Sequence, residues 1–166
     1  MIQLLILGLL LKYPNTHGYE LMKIMDQRHY KYIVQYTKGS LYYNLQKMNE
    51  KGFLSGTLDS NDPEITYFSV TPKGEQLFSE LMDKYGNISE YVNLSFYTPM
   101  LFNELIPEEH YHSYINSQIS QIESKIVNLN HALEDVNTLD PKFRLMLENS
   151  REHHKVNLKW FKSLLY

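Results

Sequence analysis

Thr37-Lys38-Gly39-Ser40-Leu41-Tyr42-Tyr43-Asn44-Leu45-Gln46-Lys47-Met48-Asn49-Glu50-Lys51-Gly52 holds a helix start, a periodic middle and a helix stop in sixteen residues. Threonine is a favoured N-cap and glycine a natural C-cap, so the segment predicts a helix from about Gly39 to Lys51. Leu41, Leu45 and Met48 are spaced four and three apart and share one face, which has to be buried. Ser40, Tyr43, Asn44, Lys47 and Lys51 share another, read as a hydroxyl, a phenol, an amide and two ammonium groups with no carboxylate. Such a face suits a DNA major groove about 12 Å wide, where an Asn amide bonds adenine bidentately and Lys reaches guanine or phosphate. An ordinary solvated face would interleave Glu with Lys.

The flanks supply the rest of a winged helix-turn-helix. A first helix is expected from Ile2 to Lys12, ending before Pro14, because the residue preceding a proline is pushed out of helical geometry. A second is expected from about Gly18 to His29, with Leu21, Ile24 and Met25 on one apolar stripe. Beyond Gly52 the period changes. Phe53 to Leu58 and Ile65 to Val70 are β-prone, and Asp59-Ser60-Asn61-Asp62-Pro63 between them is turn chemistry, so a hairpin is expected. Thr71-Pro72 then restarts a helix, with proline at the first position, where its missing N–H does no harm. The fold class is mostly α with a small β-hairpin wing: a winged-helix domain over residues 1–86, then an all-helical dimerisation region over 87–166, with Gly86-Asn87 as the punctuation.

In that second region Ile115, Ile119, Ile122, Ile126, Leu129, Leu133 and Val136 repeat at alternating spacings of four and three. Held over about three heptads, this pattern describes a coiled-coil seam. Its partner is the following helix of the same chain, from about Pro141 to Leu165, or a second copy, and the two readings are not exclusive. Helices of about 40 Å, at 1.5 Å per residue, have more surface than so small a monomer covers, which favours an arm reaching across a dimer. Ile119, Ile122, Ile126 and Leu129 are then the dimerisation residues, with Trp160 beside them. A dimer also suits DNA, since two reading helices on a two-fold axis meet palindromic half-sites about 34 Å apart.

Composition limits the alternatives. The chain of 166 residues is 43% hydrophobic and 21% charged, ordinary for a folded soluble protein. The absence of cysteine excludes disulfides, thiolate nucleophiles and Cys-based zinc sites, and fits a reducing cytoplasm. Leu4 to Leu11, the most apolar run, is shorter than the roughly 20 residues that cross a bilayer and lacks the flanks of a signal peptide, so no membrane role is expected. Net charge is −3, yet between Lys12 and Lys51 seven bases face three acids, the local footprint of a nucleic-acid contact.

Four motifs in order then carry a resemblance: Ile6-Leu7-Gly8-Leu9-Leu10, His17-Gly18-Tyr19-Glu20-Leu21, Gly39-Ser40-Leu41-Tyr42, and Tyr67-Phe68-Ser69-Val70-Thr71-Pro72-Lys73-Gly74. The chain resembles the PadR family over nearly its whole length, and the tail ending in Lys159-Trp160-Phe161 looks like the Vir-type helical region of its longer members. The resemblance implies a homodimeric, sequence-specific repressor of transcription that binds double-stranded operator DNA and is relieved by a small molecule. Position by position it implies DNA contact by Ser40, Tyr42 and Lys47 on or beside the reading helix, with Tyr19 near the phosphate backbone. With Tyr43 and Asn44 from the helix face and Lys38 at its start, these form the expected DNA-binding set. Three positions depart from the family: Tyr43 where many members have proline, Asn49 for a frequent glutamate, and a hairpin tip carrying Asp59, Asp62 and Glu64 without a base. That tip is expected to stay off the phosphates.

Other functions fare less well. Fourteen tyrosines, with Phe96, Tyr97, Phe102 and Trp160, offer either core packing or the lining of a site for a small aromatic effector. Glu109 and His112 form half of a di-iron motif whose second half is missing, and the adjacent His153 and His154 diverge by about 100° on a helix. Without a Gly-rich phosphate loop or a Gly-x-Ser-x-Gly turn, no enzyme activity, metal or cofactor is expected. The remaining alternative is a winged-helix module that binds protein without reading DNA.

Overall fold

The computed structural model describes residues 1–134 and 139–166, so Val136, the last member of the heptad series, lies outside the described residues. These residues form two compact units, Met1–Ser89 and Glu90–Tyr166.

In the first unit, α1 (Ile2–Lys12) buries Ile6, Leu7, Leu9 and Leu10 and stops at Tyr13, as Pro14 requires. After β1 (Thr16–His17), α2 (Gly18–Gln27) ends two residues before His29, because His29 turns to a φ of 58° and leads into a 3₁₀ turn at Tyr30–Tyr32. The Thr37 hydroxyl accepts from Ser40 N at 3.0 Å while Ser40 Oγ accepts from Thr37 N at 2.9 Å, a reciprocal capping box that starts α3 (Lys38–Glu50). Leu41, Leu45 and Met48 are buried against Leu7, Leu10, Leu21 and Met25, so the apolar face of α3 lies in the core of this unit.

The wing is β2 (Leu54–Leu58) paired antiparallel with β3 (Thr66–Val70), Leu54 facing Val70 and Leu58 facing Thr66. It is not a bare hairpin. β1 pairs with the other edge of β3, Thr16 facing Phe68 and His17 facing Tyr67, which gives a three-stranded sheet in the order β1-β3-β2. Thr71 ends the wing and caps α4 (Pro72–Gly86): its hydroxyl accepts from Gly74 N at 3.1 Å and donates to Gly52 O at 2.7 Å. One side chain thus ties the start of α4 to the end of α3.

The second unit holds a short α5 (Tyr97–Met100), a 3₁₀ turn at Asn103–Leu105, α6 (Glu108–Glu134) and α7 (Pro141–Ser163). Asp140 caps α7, accepting from Lys142 N at 2.9 Å. Bonds from Arg144 to Leu133 O, Arg151 to Asn130 and Lys162 to Glu123 run in opposite senses along the two helices, which makes α6 and α7 an antiparallel hairpin. Much of the heptad face of α6 is thus covered by α7 of the same chain, the first of the two partners the spacing allows. Ile122 and Leu129 are only 4% and 2% exposed within one chain, and Ile119 and Ile126 pack on the cluster that Ile115, Ile122, Phe96 and Phe161 build. The physical reason is proximity: α7 follows α6 after a short connection, and the entropy of closing a short loop is far below that of recruiting another chain. Among the described residues no helix is long and apolar enough to cross a membrane.

Candidate nucleic-acid interface

With Leu41, Leu45 and Met48 buried, the opposite side of α3, at about 100° per residue, runs through Gly39, Tyr43, Gln46, Lys47 and Glu50. Ser40, Asn44 and Lys51 lie to its flank. Ser40 Oγ accepts from Thr37 N and donates to Thr37 O at 2.9 Å, so its only proton is already used. Asn44 Nδ2 donates to Ser40 O at 2.7 Å, and the side chain is half-buried. An adenine contact from Asn44 therefore has to use the remaining N–H or break that bond.

The face is not free of carboxylates. Glu50, three residues after Lys47, takes the Lys47 ammonium on Oε2 at 2.8 Å and the Gln46 amide on Oε1 at 3.0 Å. The hydrogen bond and charge of Lys47 hold the Glu50 carboxyl below its ordinary pKa, and Glu50 in turn raises that of Lys47.

Beside this helix lies an open cleft of roughly 570 Å³, bounded by α3, the start of α2 and β3. Tyr42, Tyr43 and Gln46 line it from α3, His17 and Tyr19 from the start of α2, and Thr66 and Phe68 from β3. Tyr19 is 67% exposed and Tyr43 61%. His17 stacks on Tyr19 at 6.2 Å, meets Tyr67 edge-on at 5.3 Å, and accepts from Glu20 N through Nδ1 at 3.4 Å, capping α2. The Lys38 ammonium sits 5.9 Å from the centre of the Tyr42 ring. Gly18 makes room for that ring, since a Cβ there would come within 2.9 Å of it. The structure therefore brings Tyr19, Lys38, Tyr42 and Tyr43 to one surface and leaves Ser40 and Asn44 occupied with the helix itself. Sequence reasoning missed Gln46, His17 and Thr66. Gln46 was within reach, four residues beyond Tyr42 on the same stripe, whereas His17 and Thr66 meet only through the pairing of strands.

At the wing tip the acids serve the turn. Asp59 Oδ1 accepts from Asn61 N at 2.7 Å and Asp62 N at 3.0 Å, and Asp62 Oδ1 accepts from Glu64 N at 3.0 Å. The backbone N–H groups of Asn61 and Asp62 hold the Asp59 carboxyl below its usual range. An Asn amide oxygen makes the same bonds without charge. Asp59→Asn combined with Asp62→Asn is thus expected to keep the turn and to leave DNA affinity unchanged or tighter in an anisotropy titration. A loss of tenfold or more would mean that the carboxylates engage the ligand.

In the second unit Phe96 is buried between Phe161, edge-on at 4.9 Å, and Tyr111, stacked at 5.9 Å, while Trp160 meets Tyr97 edge-on at 5.6 Å. Of the aromatics expected as effector lining, Phe96 is core and Trp160 packs against it, while Tyr97 and Phe102 are exposed. A shallow groove of about 520 Å³ remains beside Phe96, lined also by Tyr114, Ser95, Ser117 and Gln118. Among the described residues no group of three or more His, Asp or Glu is placed to hold a metal ion, and His112 lies 3.9 Å from Glu108 rather than pairing with Glu109.

Residues 6–80 match the model of the transcriptional regulator PadR-like family. Among solved structures, the chain is similar to Bacillus subtilis PadR in complex with operator DNA, at 21% identity and a TM-score of 0.73, covering 98% of this chain and 95% of that one. The same protein in complex with p-coumaric acid matches at 20% identity and a TM-score of 0.70, over 99% and 96% of the two chains. The Vibrio cholerae virulence activator AphA matches at 17% identity and a TM-score of 0.79, again over 99% and 96%. No curated protein matches the chain. The likeness in fold runs through both units, and the family match falls on the unit that holds the α3 face and the wing: the chain carries a transcriptional regulator PadR-like family domain over residues 6–80.

Proposed function

We propose that the protein is a sequence-specific DNA-binding transcriptional repressor that acts in the cytoplasm as a homodimer on palindromic operators and is released by a small aromatic effector. The observation that carries this reading is the outward face of α3, where Tyr43, Gln46 and Lys47 stand beside a cleft lined by Tyr19 and Tyr42. Tyr43 and Gln46 offer donors and acceptors to base edges, while Tyr19, Tyr42 and Lys38 offer donors to phosphates. Ser40 and Asn44 hold the helix start in shape. Two such faces are needed to read a full operator. A second copy is also supported by the second unit, which leaves Leu101 71% and Leu105 74% exposed, with Tyr91, Val92 and Phe102 exposed nearby. A concentration of large apolar side chains of this kind marks an interaction surface. The effector reading draws on the p-coumaric acid complex of Bacillus subtilis PadR and on the groove beside Phe96 and Tyr114.

Anisotropy with a labelled duplex from the region upstream of the protein's own gene tests the proposal. Tyr43→Ala is expected to cost about 1–3 kcal/mol on that duplex and much less on random DNA, as loss of a base contact does. Equal binding of both duplexes by the unaltered protein would contradict it.

A further inference from the structure

Glu50, the last residue of α3, sits on its outward face, where a carboxylate is repelled by the phosphates that a reading helix approaches. Its side chain is about half exposed. What it does hold is the two polar side chains of that face, one on each oxygen: Gln46 Nε2 at 3.0 Å on Oε1 and Lys47 Nζ at 2.8 Å on Oε2. The two bonds have different consequences. Fixing the Gln46 amide by one N–H leaves its carbonyl oxygen and its other N–H for a further partner, the kind of pair that meets adenine N6 and N7. Neutralising Lys47 removes an ammonium that would otherwise grip phosphate on any sequence.

We infer that Glu50 is a positioning residue for DNA specificity, which orients Gln46 as a base-reading side chain and restrains Lys47 from sequence-independent phosphate binding. The inference rests on the DNA-binding reading proposed above and assigns roles to two residues that the sequence pattern did not single out. Every phosphate contact contributes about 0.9 to the slope of log affinity against log salt, so at 0.15 M salt a released ammonium is worth roughly fivefold in affinity. With one reading helix per subunit, a dimer gains about two units of slope and more than tenfold on random DNA.

The test uses the full-length protein, a duplex selected by it from a randomised pool, and a scrambled duplex of the same composition, each titrated at several salt concentrations. Glu50→Gln removes the charge and keeps the acceptor for Gln46. It is expected to tighten scrambled-duplex binding more than tenfold and to steepen the salt slope. Glu50→Ala also frees the amide and is expected to lower the preference for the selected duplex by a further fivefold or so. Glu50→Asp, which keeps the charge on a shorter stem, is expected to restore the wild-type slope in part. Gln46→Ala is expected to lose that preference with the salt slope unchanged. Wild-type slopes and preferences in Glu50→Gln and Glu50→Ala would overturn the inference, leaving Glu50 a solvated surface charge. If the unaltered protein discriminates between the duplexes while Gln46→Ala matches it, the DNA-binding reading stands and the role of Gln46 falls. If the pool yields no preferred duplex, both fall.

Discussion

Gly74→Ala is expected to unfold the N-terminal unit at temperatures where the unaltered protein is folded. The residue stands at the third position of α4, where Thr71 caps the helix and the chain doubles back on the end of α3. A Cβ built there falls on the carbonyl oxygen of Phe53, and 2.7 Å from Val70 Cγ1. Neither neighbour has room to give. The Phe53 carbonyl already accepts from Thr71 N at 3.1 Å, and Val70 is fixed in β3 opposite Leu54. Overpacking a rigid site costs about 1–3 kcal/mol and occasionally more, and the backbone obstacle here puts the cost at the top of that range, about 3 kcal/mol. For a unit of this size each kcal/mol lowers Tm by about 4–8 °C, so a fall of about 12 °C or more is expected in a circular-dichroism melt. DNA binding should be lost with the fold. A Tm within about 2 °C of the unaltered protein would show that the α3–wing–α4 junction is looser than described.

The second large effect is expected from Ile122→Ala combined with Leu129→Ala. Both side chains are buried between α6 and α7 of one chain, and truncating a buried Ile or Leu to Ala costs about 2–5 kcal/mol. Because the partner helix belongs to the same chain, the lost helicity should be the same at low and high protein concentration when Leu101→Ser and Leu105→Ser are also present to remove the proposed dimer contact. That distinguishes it from a seam between subunits, where raising the concentration restores structure by mass action. Circular dichroism at two concentrations a hundredfold apart, with sedimentation in parallel, reads both. Recovery of helix at the higher concentration would return the seam to the dimer. By contrast, Leu101→Ser with Leu105→Ser, on exposed side chains, is expected to shift a dimer toward monomer with little loss of helix.

Those two sites also show what the sequence made legible and what it did not. The capped helix, the buried stripe of Leu41, Leu45 and Met48, and the Thr71-Pro72 start of α4 rest on local rules, and local rules were sufficient for them. β1 escaped notice because two residues carry no period, and with it went the placement of His17 against Tyr67. The heptad of α6 announced a buried seam, but a pattern of spacings names no partner, and α7 of the same chain covers much of it. Gly74 stood in a motif that could be quoted from the sequence. Its reason, the Phe53 carbonyl, belongs to tertiary structure. On α3 the angular reading was displaced toward Ser40 and Asn44, whose hydrogen bonds face inward along the helix. The face proper carries Tyr43, Gln46, Lys47 and the carboxylate of Glu50.

Whether this α3 face reads DNA sequence in two copies is decided by selection of binding sites from a randomised duplex pool. The expected result is enrichment of a palindrome whose half-sites lie about one helical turn, or 10 base pairs, apart, with the enrichment lost in Tyr43→Ala at unchanged Tm. A pool that emerges without a shared sequence, from a protein that is folded throughout, would contradict it.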